Sequence, residues 1–293
     1  LSISIDCMKN KYLRTFWYAL PTNYKYLVRK LYYLPQDVID KLTGNTHKYV
    51  PPRGSIYTGS PANAKTYILQ SKHQLNLLKQ EINLKPSDHV LDIGSGIGRT
   101  AISLCEFLNN QGKYEGFDVV KLGVDWCNSR IGKDYPNFNF TYVPLFNDLY
   151  NDDGHKAENF KFPYTENVFD KIFSFSVFTH MQIEEIQNYL FEINRVLKKD
   201  GLASSTFFLY NNDEIATINK NEKFNFSIER DGFRLMNDKI KSANIAIDKE
   251  RLGLMAKNAK LEIVSITDGF WKRTPNAVEF QDFVVFKKVG SPN

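Results

Sequence analysis

Apolar and polar positions along this chain repeat with two different periods, and the order in which they do so predicts an α/β architecture. Ala64, Ile68, Leu75, Leu78 and Ile82 fall near a 3.6-residue spacing and predict a helix over 61–82. The run 89–93 is short, apolar and bounded by turn residues, which suits a strand buried on both faces. A helix over 98–110 turns Ala101, Ile102, Leu104, Cys105 and Leu108 inward and stops at Gly112. Strands are then expected at 113–118, 138–143, 169–175 and 202–209, with helices at 121–134 and 182–198 between them. The second of these helices places Ile183, Ile186, Leu190, Ile193 and Leu197 on one face. A helix over 248–259 and strands over 261–267 and 278–287 complete the series. Upstream, Pro21 and Pro35 punctuate two short helices, 22–33 and 36–43. Strands alternating with helices of ten or more residues form βαβ units and a parallel sheet. Two polar stretches, 144–167 and 211–245, break the rhythm and read as insertions, the kind of long connection that often carries function.

Between the first strand and its helix the chain reads Val90-Leu91-Asp92-Ile93-Gly94-Ser95-Gly96-Ile97-Gly98-Arg99-Thr100. Three alternate glycines leave no Cβ in the way of a ligand, and the helix they open aims its unpaired N–H groups and positive dipole end at it. By itself this turn suits several nucleotides, or only a tight strand-to-helix connection. Asp92, two residues before the first glycine, can accept from an ammonium group. The spacing is Gly-x-Gly-x-Gly, not the Gly-x-Gly-x-x-Gly of dinucleotide binders. Asp118 ends the second strand, where an acid accepts from ribose hydroxyls in either kind of fold. The order helix, strand, loop, strand at the C-terminus suggests a closing hairpin with an antiparallel last strand. Together these favour S-adenosylmethionine over NAD or FAD.

Charge narrows the partners. Residues 1–50 hold eight Lys/Arg against three acids, an excess equal to the whole chain's net charge of +5. The neutral remainder lacks the broad basic face of a nucleic-acid binder. The same fifty residues interleave their cations with Tyr12, Phe16, Trp17, Tyr18, Tyr24, Tyr26, Tyr32, Tyr33 and Tyr49. That mixture suits a peripheral membrane contact, or a helical cap packed on the main domain with its lysine tips in water. Residues 1–50 are therefore expected to be a helical extension. Pro51-Pro52-Arg53-Gly54 marks a boundary, and 51–293 is the main domain. No apolar run approaches the roughly 18 residues of a membrane span. Cys7, Cys105 and Cys127 show no metal spacing and no disulfide framework. With no secretory signal pattern at the start, they read as buried thiols of a cytoplasmic protein, one that the basic extension could place at a membrane.

The chain resembles class I S-adenosylmethionine-dependent methyltransferases, and in particular a bacterial subgroup found near glycan-assembly genes. The resemblance runs over about 51–287. It rests on Pro51 to Gly54, Val90 to Arg99, Tyr114 to Asp118, Trp126-Cys127, Phe162-Pro163-Tyr164, Ser176 to Met181, Thr206 to Leu209 and Phe280-Gln281-Asp282. It implies a Rossmann-like seven-stranded sheet of order 3-2-1-4-5-7-6, last strand antiparallel. It also implies that Asp92, Gly94, Gly96 and Gly98 line the methionine end of S-adenosylmethionine, that Asp118 holds the ribose with Val119 beside the adenine, and that Ser176 and Val177 pass under the sulfonium. The family often has an acid after the third strand to receive the adenine amino group. Pro144 stands there, so adenine recognition falls to Leu145, Phe146 or Asn147, with Phe146 the expected contact.

For chemistry, His180 is the candidate base, just beyond the fourth strand at the edge where such sheets bind ligands. Imidazole ordinarily titrates at about 6.5. The alternative role is a helix-start histidine that shapes the loop. His73 and His155 are weaker candidates. Tyr57, Tyr210, Trp271 and Arg273 fall in segments expected over the same edge, where Trp271 and Arg273 could stack on a sugar and pair with an anion. The expected reaction is methyl transfer to a small-molecule or glycan-type acceptor at oxygen. A protein or RNA methyltransferase, or a non-catalytic module of this fold docked on a membrane or protein complex, are the competing readings. No metal is expected.

Overall fold

The computed structural model describes residues 22–58, 62–145, 156–219, 224–237 and 244–289. At its centre lies β1 (His89–Ile93), buried from Val90 onward. Successive side chains on a strand point to opposite faces, so Leu91 and Ile93 enter one hydrophobic layer while Val90 enters the other. The same alternation recurs in β11 (Asp282–Lys288). Val284 and Phe286 face the first layer; Phe283 and Val285 face the second. Each layer is closed by helices: α2 (Ala64–Glu81), α3 (Arg99–Phe107) and α4 (Lys121–Cys127) on one face, α5 (Ile183–Val196) and α7 (Lys249–Asn258) on the other.

With β2 (Lys113–Asp118), β3 (Phe138–Tyr142), β4 (Phe169–Ser174), β5 (Leu197–Phe207) and β10 (Leu261–Thr267), the strands form a seven-stranded sheet of order 3-2-1-4-5-11-10. All pairs are parallel except those of β11, which runs antiparallel to both β5 and β10. The topology is the one the resemblance implies. The order reverses between β1 and β4, so a crevice opens at their carboxyl ends.

Five local expectations change. β5 begins at Leu197, not 202, because Leu197 already pairs with Phe169 of β4, and it ends at Phe207. The segments 22–33 and 36–43 are one helix, α1 (Thr22–Leu42), which runs through Pro35. Pro35 cannot donate to Leu31, but it lies on the exposed side, where water can take the freed carbonyl. The helix expected over 121–134 spans those residues but widens into a π turn over Asn128–Gly132 before its last two. The insertion 211–245 is not merely a loop. It supplies most of a second sheet, order β6-β9-β8-β7, from β6 (Leu209–Tyr210), β7 (Ile228–Arg230), β8 (Phe233–Leu235) and β9 (Ile245–Asp248), with the one-turn helix α6 (Ile215–Asn219) beside it. These strands are too short and too polar outside to show a period. β11 starts at Asp282, not 278, because Glu279 and Phe280 instead give their carbonyls to the N–H groups of Phe270 and Trp271.

The extension holds the main domain through polar groups. Asp37 accepts from the N–H groups of Arg53 and Gly54 at 2.6 and 3.2 Å. Asp40 takes the Arg53 guanidinium in a two-bond fork at 2.6 and 2.9 Å. The buried Arg29 guanidinium donates to the Ile56 carbonyl. An added Cβ at Gly54 would sit 2.8 Å from Lys30 Cα, so only glycine lets the two segments meet.

Candidate functional site

The turn after β1 is anchored by two N–H groups, those of Gly94 and Ser95, which both donate to the Phe117 carbonyl. Two positions require glycine. Gly94 has φ 75° and a Cβ there would lie 2.4 Å from Val177 Cγ2; Gly98 has φ 83° and a Cβ there would lie 2.9 Å from Cys127 Sγ. The turn therefore folds flat against the β4 exit on one side and α4 on the other. Gly96 shares the left-handed conformation, and its N–H donates to Asp118 Oδ2 at 2.8 Å.

Two carboxylates flank this turn. Asp92 is 3% exposed, and its Oδ2 accepts from the Tyr114 hydroxyl at 2.7 Å. Burial pushes its carboxyl up to about 7; the Tyr114 hydrogen bond opposes this, and the nearby Asp118 charge adds to it. Asp118 Oδ1 accepts from the Val120 N–H, also at 2.8 Å. Burial raises Asp118 to about 6, against the backbone N–H groups that hold it. Two buried acids poised near neutrality make a site that favours a ligand with positive charge, which would keep both ionised.

Tyr57 meets the turn beside Gly96 and Gly123. It is buried, and its hydroxyl has no hydrogen-bond partner among the described residues. An added Cβ at Gly123 would come within 2.0 Å of that hydroxyl and 2.3 Å of the Gly96 carbonyl, so the three meet at one point. The Ser95 hydroxyl is likewise buried without a partner among the described residues. Arg99 Nη2 donates to the Thr58 carbonyl at 2.6 Å, tying the same segment to the start of α3. Val119 is half-buried beside Asp118. Phe146, the expected adenine contact, and His155 lie outside the described residues.

At the β4 exit, Ser176 is exposed with φ 57°. Its N–H donates to Thr206 Oγ1 at 2.7 Å and its hydroxyl to Gln281 Oε1 at 2.8 Å. Val177 is half-buried against Gly94. His180 ends a short 3-10 turn (Phe178–His180), half-buried, with its N–H on the Val177 carbonyl. β9 packs against this turn, so the insertion lies beside His180.

The expected Trp271–Arg273 pair does not form. Trp271 is 2% exposed, its indole N–H donates to Asp282 Oδ2 at 2.8 Å, and its ring packs on Phe208 and Phe226. A ring covered in this way has no open face for a sugar. Tyr210 is buried in the same cluster, and Arg273 is exposed. Trp271→Phe should keep the packing but lose the Asp282 hydrogen bond, costing about 1–2 kcal/mol of stability in urea denaturation and leaving donor affinity unchanged. A cleft of about 470 Å³ lined by Ile183, Phe191, Arg251 and Leu254 lies between α5 and α7 and includes none of the residues above.

Sequence reasoning gave no role to Tyr114, Gly116, Thr206 and Gln281, which it used only as marks of resemblance, and missed Gly123. Parallel register pairs Asp92 with Gly116 and Val90 with Tyr114. An added Cβ at Gly116 would sit 2.9 Å from the Tyr114 hydroxyl, so this glycine leaves the space through which Tyr114 reaches Asp92. The signal was a glycine inside a strand, which marks close approach.

Residues 90–201 match the family model described as a methyltransferase domain. Among solved structures, the chain is similar to a protein of Pyrococcus horikoshii OT3, with 16% identity over 76% of this chain and 91% of that one at a TM-score of 0.50. It is similar in the same degree to a protein described as a SAM-dependent methyltransferase from Methanosarcina mazei, with 17% identity over 71% of this chain and 95% of that one at a TM-score of 0.50. At these identities the likeness is one of fold.

Proposed function

We propose that this chain, whose residues 90–201 match a methyltransferase domain, is a class I S-adenosylmethionine-dependent methyltransferase that moves the donor's methyl group onto an oxygen of a small-molecule or saccharide acceptor. The residues of the glycine turn fit the donor. Asp92 and Asp118 are buried acids that a cationic ligand would ionise, the cradle excludes a Cβ at Gly94 and Gly98, and Ser95 and Tyr57 hold buried hydroxyls without partners among the described residues. Asp92, Gly94, Gly96 and Gly98 would hold the methionine end and Asp118 the ribose. The bound donor supplies a methyl carbon already activated by the sulfonium.

The protein's share of the chemistry is positioning and exclusion of water. Val177 presses on Gly94 and sets the floor at the reacting end. Ser176, Thr206 and Gln281 form a hydrogen-bonded polar edge beside it, which suits a hydroxyl-bearing acceptor. His180 stands one turn beyond and would take the proton that an alcohol gives up as its oxygen gains the methyl group. The observation that carries the reading is the pair of buried acids bracketing the glycine turn at the β1/β4 switch point. The neutral main domain favours a small acceptor over RNA.

Calorimetry with S-adenosylmethionine, followed by a labelled methyl-transfer screen over saccharides, lipid-linked sugars and small acids, tests the reading. Absence of donor binding to the full chain would sink it. For His180→Ala, methyl transfer should fall about a hundredfold with donor affinity unchanged. Unaltered turnover would leave His180 as a loop-shaping residue only.

A further inference from the structure

We infer that the outward face of α1 is a docking surface for an anionic lipid membrane. The helix is amphipathic in the reverse of the usual sense. The side turned to the main domain carries Lys25, Arg29, Asp37 and Asp40, of which only Asp37 is not fully buried. The side turned to solvent carries Leu27, Leu31, Leu34, Val38, Ile39 and Leu42, with Leu31 61% and Leu42 81% exposed. Positions 27, 31, 34, 38 and 42 advance by three and four residues, so they form one stripe along roughly 22 Å of helix. A helix free in water turns such a stripe inward. Here the inner side is already occupied by the hydrogen bonds to residues 53–56.

Charge identifies the occupant. Both acids of α1 are withdrawn from the surface by Arg53 and the Gly54 N–H, while Lys30 and Lys41 remain exposed. In sequence, the segment before α1 carries Lys9, Lys11 and Arg14 against Asp6, together with Phe16, Trp17 and Tyr18, and the chain's whole positive excess falls within residues 1–50. A bilayer offers both complements at once, acyl chains for the stripe and phosphates for the lysines, with tyrosine and tryptophan suited to the boundary between them. A second copy would complement the stripe but would set lysine against lysine. The helix lies on the surface; among the described residues none is long and apolar enough to cross a membrane.

Flotation of the purified full chain tests this, on vesicles of phosphatidylcholine alone and with about 30 mol% phosphatidylglycerol. The protein should float with the anionic vesicles at least about tenfold more than with neutral ones, and less in high salt. Leu31→Glu/Val38→Glu changes only exposed positions. It should abolish flotation while leaving the melting temperature within a few degrees. Lys30→Glu/Lys41→Glu, which leaves the stripe intact, should remove the preference for anionic vesicles. A wild-type chain that stays at the bottom of both gradients overturns the assignment. So does one that sediments as a dimer, fails to float, and becomes monomeric on Leu31→Glu/Val38→Glu, which gives the stripe to a second copy. The assignment stands or falls independently of what the active site methylates.

Discussion

Asp92→Asn is expected to weaken S-adenosylmethionine binding by at least about tenfold while raising the melting temperature of the ligand-free protein at pH 8. Both effects come from one group. The folded protein holds this carboxyl at about 7, above the usual carboxylate value, because burial opposes its charge more than Tyr114 supports it. The folded state therefore binds more protons than the unfolded state from pH ~4 to ~7, and stability from this group falls as pH rises through that window. Asparagine removes that cost and can still accept from Tyr114 through its amide oxygen. A cationic methionine end reverses the balance, since it needs the ionised form. Wild-type affinity should accordingly rise between pH 5.5 and 8, whereas the variant should keep only the part below about 6 that belongs to Asp118. Calorimetry across that range decides the matter. A wild-type affinity independent of pH would remove Asp92 from the donor site.

Gly94→Ala should cost about 2–5 kcal/mol of stability and weaken donor binding with it, through two separable causes. The first is backbone strain, because an alanine at φ 75° pays about 1–2 kcal/mol. The second is collision, because the new Cβ would lie 2.4 Å from Val177 Cγ2, and overpacking of this kind costs about 1–3 kcal/mol. Gly94→Ala/Val177→Ala gives back the second and keeps the first. Urea denaturation of the four proteins should show a favourable coupling of at least about 1 kcal/mol between the two sites. Simple additivity would mean that Val177 does not sit where the turn needs glycine.

The central strands β1, β2 and β4 could be read from the chain because each is short and largely buried on both faces, and a short apolar run between turn residues finds burial most readily at the centre of a sheet. β1, β2, β3 and β10 fall within a residue of their expected limits. The glycine turn and its two buried acids were readable for a related reason: Asp92, the three glycines and Asp118 are fixed by one strand end and its neighbour. What failed depended on contacts distant in sequence. Trp271 was expected to meet ligand because its loop falls over the ligand-binding edge of the sheet. Its indole N–H instead answers Asp282, a buried acid eleven residues on that also takes the Leu209 and Gly269 N–H groups. β7 and β8 have three residues each and no periodicity to detect. The inversion of α1 shows in the sequence only as an amphipathic helix. Which side faces inward is decided by Arg53, Gly54 and Ile56, beyond an apparent boundary.

Pro51-Pro52 is where a catalytic fragment would ordinarily be cut. Scission there would strand the backbone N–H groups of Arg53 and Gly54, release the Ile56 carbonyl from Arg29, and take away Tyr26, whose ring meets Tyr57 edge-on at 5.9 Å. Tyr57 is the residue whose hydroxyl meets Gly96 and Gly123 at the glycine turn. A fragment beginning at residue 51 would therefore keep Asp92, the glycines and Asp118 and still lose the contacts that hold Tyr57 against that turn. A fragment that keeps these contacts begins upstream of Tyr26, not at the proline pair.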